Sequence, residues 1–320
     1  MTSYLVRRGA ASIVVLLLVS IVAFLLIHLQ KGDALTVKLR QRLPEEQVQQ
    51  LRAEMGLDKP LWEQYWTWLS GVLRGDMGRS FFREQQPVWD RIKAALPVTV
   101  ELVALAIVIS VIVGVPAGVI SAVRRNSLLD QVTRLFSVIG LTIPVFWLAT
   151  IVLVYGGIWF SYSPPLTFQQ FWESPMRNLE AMWMPGLILG YALSAITMRI
   201  TRSSVLEVMR QDYVRTAWAK GLGEQVVIVR HVLANSLIPV ITVLGNQFVY
   251  IIGSTVIVEY LFHLPGLGFV AFESIATRDY FLVQGTVLVI GAMVVAMNFL
   301  VDLSYAWLDP RVRLAGTAQI

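Results

Sequence analysis

Six runs of about twenty apolar residues constrain this chain more than anything else in it, because a helix of that length crosses a hydrocarbon core roughly 30 Å thick. They are Ala10–Leu29, Val98–Val123, Leu135–Phe160, Leu179–Met198, Leu237–Val258 and Leu282–Trp307, the fourth being the weakest, with Glu180 near its start. Backbone groups inside a bilayer must be bonded within the segment, so runs of this length are helices. The composition agrees: 56% of the 320 residues are hydrophobic and 15% charged, outside the usual range of soluble domains. The expected fold is all-α and polytopic, with six transmembrane helices. The first run follows Arg7 and Arg8 but is too long for a signal-peptide core, and no A-x-A pattern follows it, so it reads as a retained span.

Lys and Arg set the orientation. With the N-terminus inside, the inner segments hold Arg7, Arg8, Arg124, Arg125, Arg134, the basic residues of 199–230, Arg311 and Arg313; the two short outer loops hold Arg177 and Arg278. Both termini are expected on the cytoplasmic side. The net charge of +5 follows largely from this asymmetry, so no nucleic-acid partner is implied. The chain has no cysteine, which excludes disulfides and thiolate metal sites, and its three histidines are far apart. H-E-x-x-H, G-x-S-x-G and the phosphate-cradling G-x-x-x-x-G-K-[ST] are all missing. No catalytic residue, metal site or nucleotide site is expected in this chain.

The domain organisation follows from the spans. Residues 1–29 form a cytoplasmic N-terminus and first span, 30–97 a helical extracytoplasmic subdomain, 98–307 the transmembrane core, and 308–320 a cytoplasmic tail. In the outer segment, Pro44-Glu45-Glu46 opens a helix that Gly56 ends. An apolar stripe follows through Leu61, Trp62, Tyr65, Trp66, Leu69, Val72 and Leu73. Such a segment lies on the outer leaflet, or receives a soluble partner, or does both.

Within the core, Gly114 and Gly118 are spaced for close helix packing, and Pro116 and Pro144 for kinks; Pro144 is also a gate candidate. Glu101, Asn246, Gln247, Asn298 and Asp302 lie at or near membrane depth, where polar groups face a bundle interior or a cavity. Asn246 and Gln247 are candidates for the translocation pathway.

One stretch cannot be membrane-embedded. Arg199–Arg230 carries six basic and three acidic residues, and nine charges at about 3 kcal/mol each would cost on the order of 25 kcal/mol at the bilayer centre. The spacing predicts a helix over Asp212–Lys220, a turn at Gly221-Leu222-Gly223, and a second helix from Glu224 to Asn235. Tyr213, Ala217 and Gly221 recur every four residues and share a face, with Val214 and Trp218 beside them. Periodicity alone leaves two readings open: a knob that enters a cleft on a soluble partner, or a helix packed on its own membrane domain.

The segment "QDYVRTAWAKGLGEQVVIVRHVLANSLIP" resembles the cytoplasmic E-A-A-x3-G-x9-I-x-L-P loop of ABC-importer permeases. Arg215-Thr216-Ala217 occupy the E-A-A positions, Gly221 the glycine and Leu233 the leucine; Arg215 and Thr216 in place of Glu and Ala, His231 in place of Ile and Ala234 in place of Pro depart from the pattern. "YLVRR", "LRAEMGLDKPLWEQY", "GDMGRS", "LPVTVEL", "IPVFWL", "TRSSVLEVMRQDYVRTA", "VEYLFHLPGLG", "RDYFLVQG" and "DPRVR" resemble the peptide/nickel-type branch in the same order, from Tyr4 to about Arg313. Lys31-Gly32-Asp33-Ala34 departs from the P-G-D-P usual in that branch, and 162–175 lacks its P-x-x-G.

The resemblance implies a type I importer permease of the bacterial cytoplasmic membrane, carrying di- or oligopeptides, with oligosaccharides or nickel chelates as the alternative cargo. It implies that loop 211–235 is a coupling element seated in a separate ATPase, with Tyr213, Ala217 and Gly221 providing fit and Asp212, Arg215 and Lys220 a polar rim. ATP and Mg would be used by two ATPase partners and not by this chain. A second, homologous permease and an extracytoplasmic substrate-binding protein complete the implied assembly, set in membrane lipid. Glu259, Pro265 and Gly266, within "EYLFHLPGLG", are candidates for gating, or form a simple Pro-Gly turn. A stand-alone secondary transporter would need inverted repeats and a buried proton relay, and neither is visible.

Overall fold

The computed structural model describes residues 2–28, 44–54, 56, 58–80, 86–165 and 167–308, and every statement of absence below refers to these. Lys31–Ala34, "DPRVR" and the tail 309–320 lie outside them. Among the described residues the chain is helical, without named strands: α1 (Thr2–His28), α2 (Glu45–Glu54), α3 (Leu61–Leu73), α4 (Val88–Val123), α5 (Leu128–Thr142), α6 (Val145–Phe160), α7 (Pro175–Val208), α8 (Asp212–Ala219), α9 (Glu224–Leu261), α10 (Leu267–Thr277) and α11 (Tyr280–Leu308). Five of these are long and apolar enough to cross a membrane. A sixth span exists only if α5 and α6 count as one, because they bend by 101° at Ile143-Pro144.

That bend is the main departure from the six uninterrupted runs expected. The third run is apolar throughout, but Pro144 has no N–H to donate and disfavours helical backbone at Ile143 before it. Ile143 is extended (φ −77°, ψ 121°) and closes α5, while Pro144 (φ −62°, ψ 137°) caps the start of α6. Pro97, Pro116, Pro185 and Pro239 sit inside continuous helices, so position and not mere presence decides the outcome.

The described residues divide into two compact units: those within 2–98 with 265–299, and those within 99–264 with 300–308. In the first, α3 lays Tyr65, Trp68 and Leu69 against Phe24 of α1, with Ser20 Oγ and Tyr65 Oη 2.8 Å apart. Gly56 takes φ +67° just past the end of α2, as expected of a terminating glycine. "GDMGRS" and "RDYFLVQG", 199 residues apart at their paired positions, meet in this unit. Ser80 Oγ donates to the buried Asp279 carboxylate, whose other oxygen accepts Leu282 N–H at 3.3 Å and caps α11. Gly78 (φ +84°) lies under the Phe281 ring, where a Cβ would come within 3.0 Å of a ring carbon.

In the second unit α7 is the central element. Its most apolar stretch has a mean hydropathy of only 1.4, yet 67% of it is buried, against 17–28% for the other four membrane-length helices. The weak fourth run is weak because its neighbours are protein: Ser110 and Thr197 hydroxyls meet at 2.7 Å, and Ser204 Oγ donates to Ser236 O at 2.8 Å. The close packing expected of Gly114 and Gly118 occurs against α7, where added Cβ atoms would come within 2.8 Å of Thr197 Cβ and 2.7 Å of Met198 O. Glu101 accepts from Asn178 Nδ2 at 3.1 Å, a local tie between α4 and the start of α7.

Candidate functional site

The break at Gln211 and the turn at Gly221 isolate α8 as an eight-residue helix. Asp212 sits in its first turn, where a carboxylate favours the N-terminal dipole. Lys220 N–H returns to Thr216 O at 3.1 Å and Gly221 N–H to Trp218 O at 2.9 Å, with Gly221 at φ +75° in the left-handed ending that glycine adopts without steric cost. The helix thus follows the expected boundaries within one residue.

Its two faces are sharply different. Val214 and Ala217, three residues apart, are buried against Ala122 of α4, Val205 of α7, and Val227 and Val232 of α9. Asp212, Tyr213, Arg215, Trp218, Lys220, Gly221 and Leu222 are exposed. Five of the six expected coupling residues therefore lie on the open side. Ala217 does not: it faces the chain's own bundle, because the inward stripe runs at i, i+3 from Val214 and not at i, i+4 from Tyr213. Its small side chain serves close approach to the bundle. Tyr213 is held by a crosslink to α9, its Oη accepting from Asn235 Nδ2 at 3.0 Å. Arg215 and Asp212 form an exposed pair at 3.6 Å, a geometry that contributes little to stability.

The second expected helix, Glu224–Asn235, is not a separate element. It begins α-helical, widens into a π-helical stretch over Val227–Leu233, and runs without interruption into the membrane part of α9. Arg230 and His231 lie in that widened stretch, and such segments concentrate at functional sites. The helix that carries Asn235 into the membrane thus also supports α8.

Beneath α8 lies a cluster that sequence reasoning did not find. Asp130, fully buried, accepts from Arg202 Nε at 2.9 Å and Nη2 at 3.2 Å, from Ser121 Oγ at 2.6 Å and from Asn126 N–H at 3.0 Å. Arg134 approaches the same carboxylate at 3.5 Å. Asn126 takes φ +66° to aim its N–H, and Ser127 caps α5 by accepting from Asp130 N at 3.3 Å. The one local signal is Ser127 followed three residues on by an acid, a capping pattern; the partner Arg202 is 72 residues away.

The pathway candidates differ in exposure and in what holds them. Gln247 is buried, its Nε2 donating to Leu193 O at 3.3 Å and Thr197 Oγ1 at 3.2 Å, so it joins α9 to α7. Its neighbour Asn246 is exposed. Glu259 is fully buried and accepts from Thr99 Oγ1 at 2.7 Å. Pro265 is half-buried and Gly266 buried, the latter capping the start of α10. Pro144 is exposed at the α5–α6 break. Among the described residues no group of three His, Asp or Glu is placed to hold a metal ion.

Comparison with known proteins follows the same lines. Residues 114–314 match the family model described as binding-protein-dependent transport system inner membrane component, and residues 1–103 match the model for its N-terminal part. A putative peptide transport system permease of Brucella abortus (strain 2308) is 39% identical, over 98% of this chain and 99% of its own length. Dipeptide transport system permeases of Alkalihalophilus pseudofirmus and Escherichia coli K12 are 35% and 33% identical, each over 98% of this chain and 99% or more of their own. A crystal structure of an amino acid ABC transporter with histidines matches with TM-score 0.54 at 16% identity, covering 75% of this chain and 98% of that one. That likeness concerns the fold alone.

Proposed function

The chain belongs to the family of binding-protein-dependent transport system inner membrane components, and from that premise we propose how it works: as a peptide-importer permease driven through α8. It is a multi-pass inner-membrane permease subunit of a peptide ABC importer. Its own contribution is mechanical and not catalytic. ATP and Mg are bound and used by two separate ATPase subunits, a second permease supplies the other wall of the pathway, and an extracytoplasmic binding protein delivers the peptide. Both termini face the cytoplasm.

The observation that carries the reading is the two-faced build of α8. A short helix seated on three other helices by two small apolar side chains, with an aromatic, a cation and a left-handed glycine on its open side, is built to be pushed by something outside the chain. A partner that contacts α8 differently in two states biases the bundle between two arrangements. Gly221 has open space where a Cβ would stand, so a side chain there meets the partner and not this chain.

A photo-crosslinking residue at Lys220, in cells expressing the complete transport system, tests this. The expected product is a covalent adduct with a nucleotide-binding subunit, its yield altered by ATP. An adduct confined to lipid or to this chain contradicts the assignment.

A further inference from the structure

We propose that the buried Asp130–Arg202 pair is the clamp that makes α5 move with the helix ends on which α8 stands. The inference deepens the reading above and rests on it: α8 is the receiver, and Asp130 is a positioning residue for the transmission.

The argument begins with what α8 touches. Its apolar footing is drawn from α4, α7 and α9, and none of the residues in that cluster comes from α5. A push on α8 therefore reaches α4 and α7 directly and α5 only at second hand. The clamp lies at that junction. Ser121 precedes Ala122, which is part of the footing, and Arg202 lies one helical turn before Val205, which is also part of it. Asp130 gathers both, together with the Asn126 N–H of the α4–α5 turn, at the first turn of α5.

Chemistry explains why a charge pair occupies this place. Apolar helix faces slide over one another at small cost, whereas a guanidinium bound to both oxygens of one carboxylate fixes direction as well as distance. The rest of the α5–α7 contact is close packing with neutral hydrogen bonds: Gly140 against Ala195, Ser137 Oγ on Ala195 O at 2.8 Å, and Phe136 edge-on to Tyr191, whose Oη donates to Phe136 O at 3.2 Å; Asp130–Arg202 adds an ion pair at the α4–α5 end of that contact. Asp130 is buried and held by Arg202, Ser121 and Asn126, with Arg134 nearby, so removing its charge leaves the Arg202 guanidinium without its carboxylate. A buried ion pair is a poor way to gain stability but a good way to make two helix ends one body.

The complete importer, in nanodiscs or sealed vesicles, tests the clamp. The chain has no cysteine, so Ile112→Cys on α4 and Val132→Cys on α5, both exposed, accept spin labels specifically. The interspin distance should stay the same with and without ATP in the otherwise unsubstituted chain. With Asp130→Asn it should change on ATP binding, while peptide taken up per ATP hydrolysed falls on the order of tenfold. Asp130→Glu should restore most of that ratio. A merely structural staple would lower the amount of complex and leave the ratio alone. If Asp130→Asn does not assemble, Arg202→Lys keeps the charge, loses the two-point grip, and is read the same way. The clamp is overturned by a nucleotide-dependent distance in the unsubstituted chain, or by an unchanged ratio in the assembled variants. Absence of ATP-driven uptake in the unsubstituted complex instead removes the proposed function.

Discussion

Helices α7 and α8 follow one another in the chain and are held in opposite ways. α7 is gripped along its length by glycines of α4 and α5, by a hydroxyl of α4 and by a backbone carbonyl of α9, with contacts that leave no room for a single added carbon at Gly114, Gly118 or Gly140. α8 is held by two apolar side chains on one face and by the Tyr213–Asn235 hydrogen bond, and leaves the rest of its surface open. Close packing makes a helix part of a rigid lever, since a dense core is bistable and not continuously deformable. A small footing with an open crest makes a helix a handle. In the proposed mechanism the difference separates the part of the bundle that transmits motion from the part that receives it.

The largest expected effect breaks the grip on α7. Gly118→Leu drives a side chain into Met198 O and Thr201 Cβ, both 2.7 Å from where its Cβ must lie. Overpacking of this kind typically costs about 1–3 kcal/mol or more, and here the obstacle is backbone. The yield of folded permease and its thermal unfolding temperature should fall sharply; an unchanged melting curve would contradict the packing. Next comes Val214→Asp, which puts a charge under α8 in a fully buried place. The desolvation cost is about 1–3 kcal/mol or more, so α8 should lift from its footing while the spans stay folded. Limited proteolysis at 211–223 should accelerate, with uptake lost.

Smaller in stability but large in function is Gly221→Trp. No atom of this chain stands in the way, and the left-handed backbone costs a non-glycine residue about 1–2 kcal/mol. The permease should insert and fold, while uptake falls and ATP hydrolysis by the complex no longer tracks it. Gly221→Asn, which tolerates this conformation better, should retain more uptake. The smallest effect belongs to Arg215→Ala. Its pair with Asp212 is exposed on both sides, so the melting temperature should not move. Any loss of uptake in that variant then measures contact with the ATPase alone.

Much of this contrast was legible in the sequence, and the limits have physical causes. Hydropathy located the spans because lipid imposes its own length, and Gly114 and Gly118 announced close packing by spacing. The register of α8 followed from Asp212 at its start and Gly221 at its end. Its facing did not: Tyr213-Ala217-Gly221 and Val214-Ala217 are both regular helical stripes, and only the positions of Ala122 and Val205 decide between them. The break at Pro144 was read as a kink, because a proline alone does not say whether neighbouring contacts carry the helix through. Pro116, Pro185 and Pro239 are carried through. The Asp130–Arg202 pair was invisible because 72 residues separate its partners and each, taken singly, looks like an inner-face charge.

The most direct measurement is peptide accumulation in sealed proteoliposomes, with this chain reconstituted alone or with the proposed second permease, the ATPases and the loaded binding protein. Uptake against a gradient should occur only in the complete set with hydrolysable ATP, and should vanish when Val214→Asp removes the footing of α8. Uphill accumulation by the chain alone, or full activity of that variant, would contradict the account.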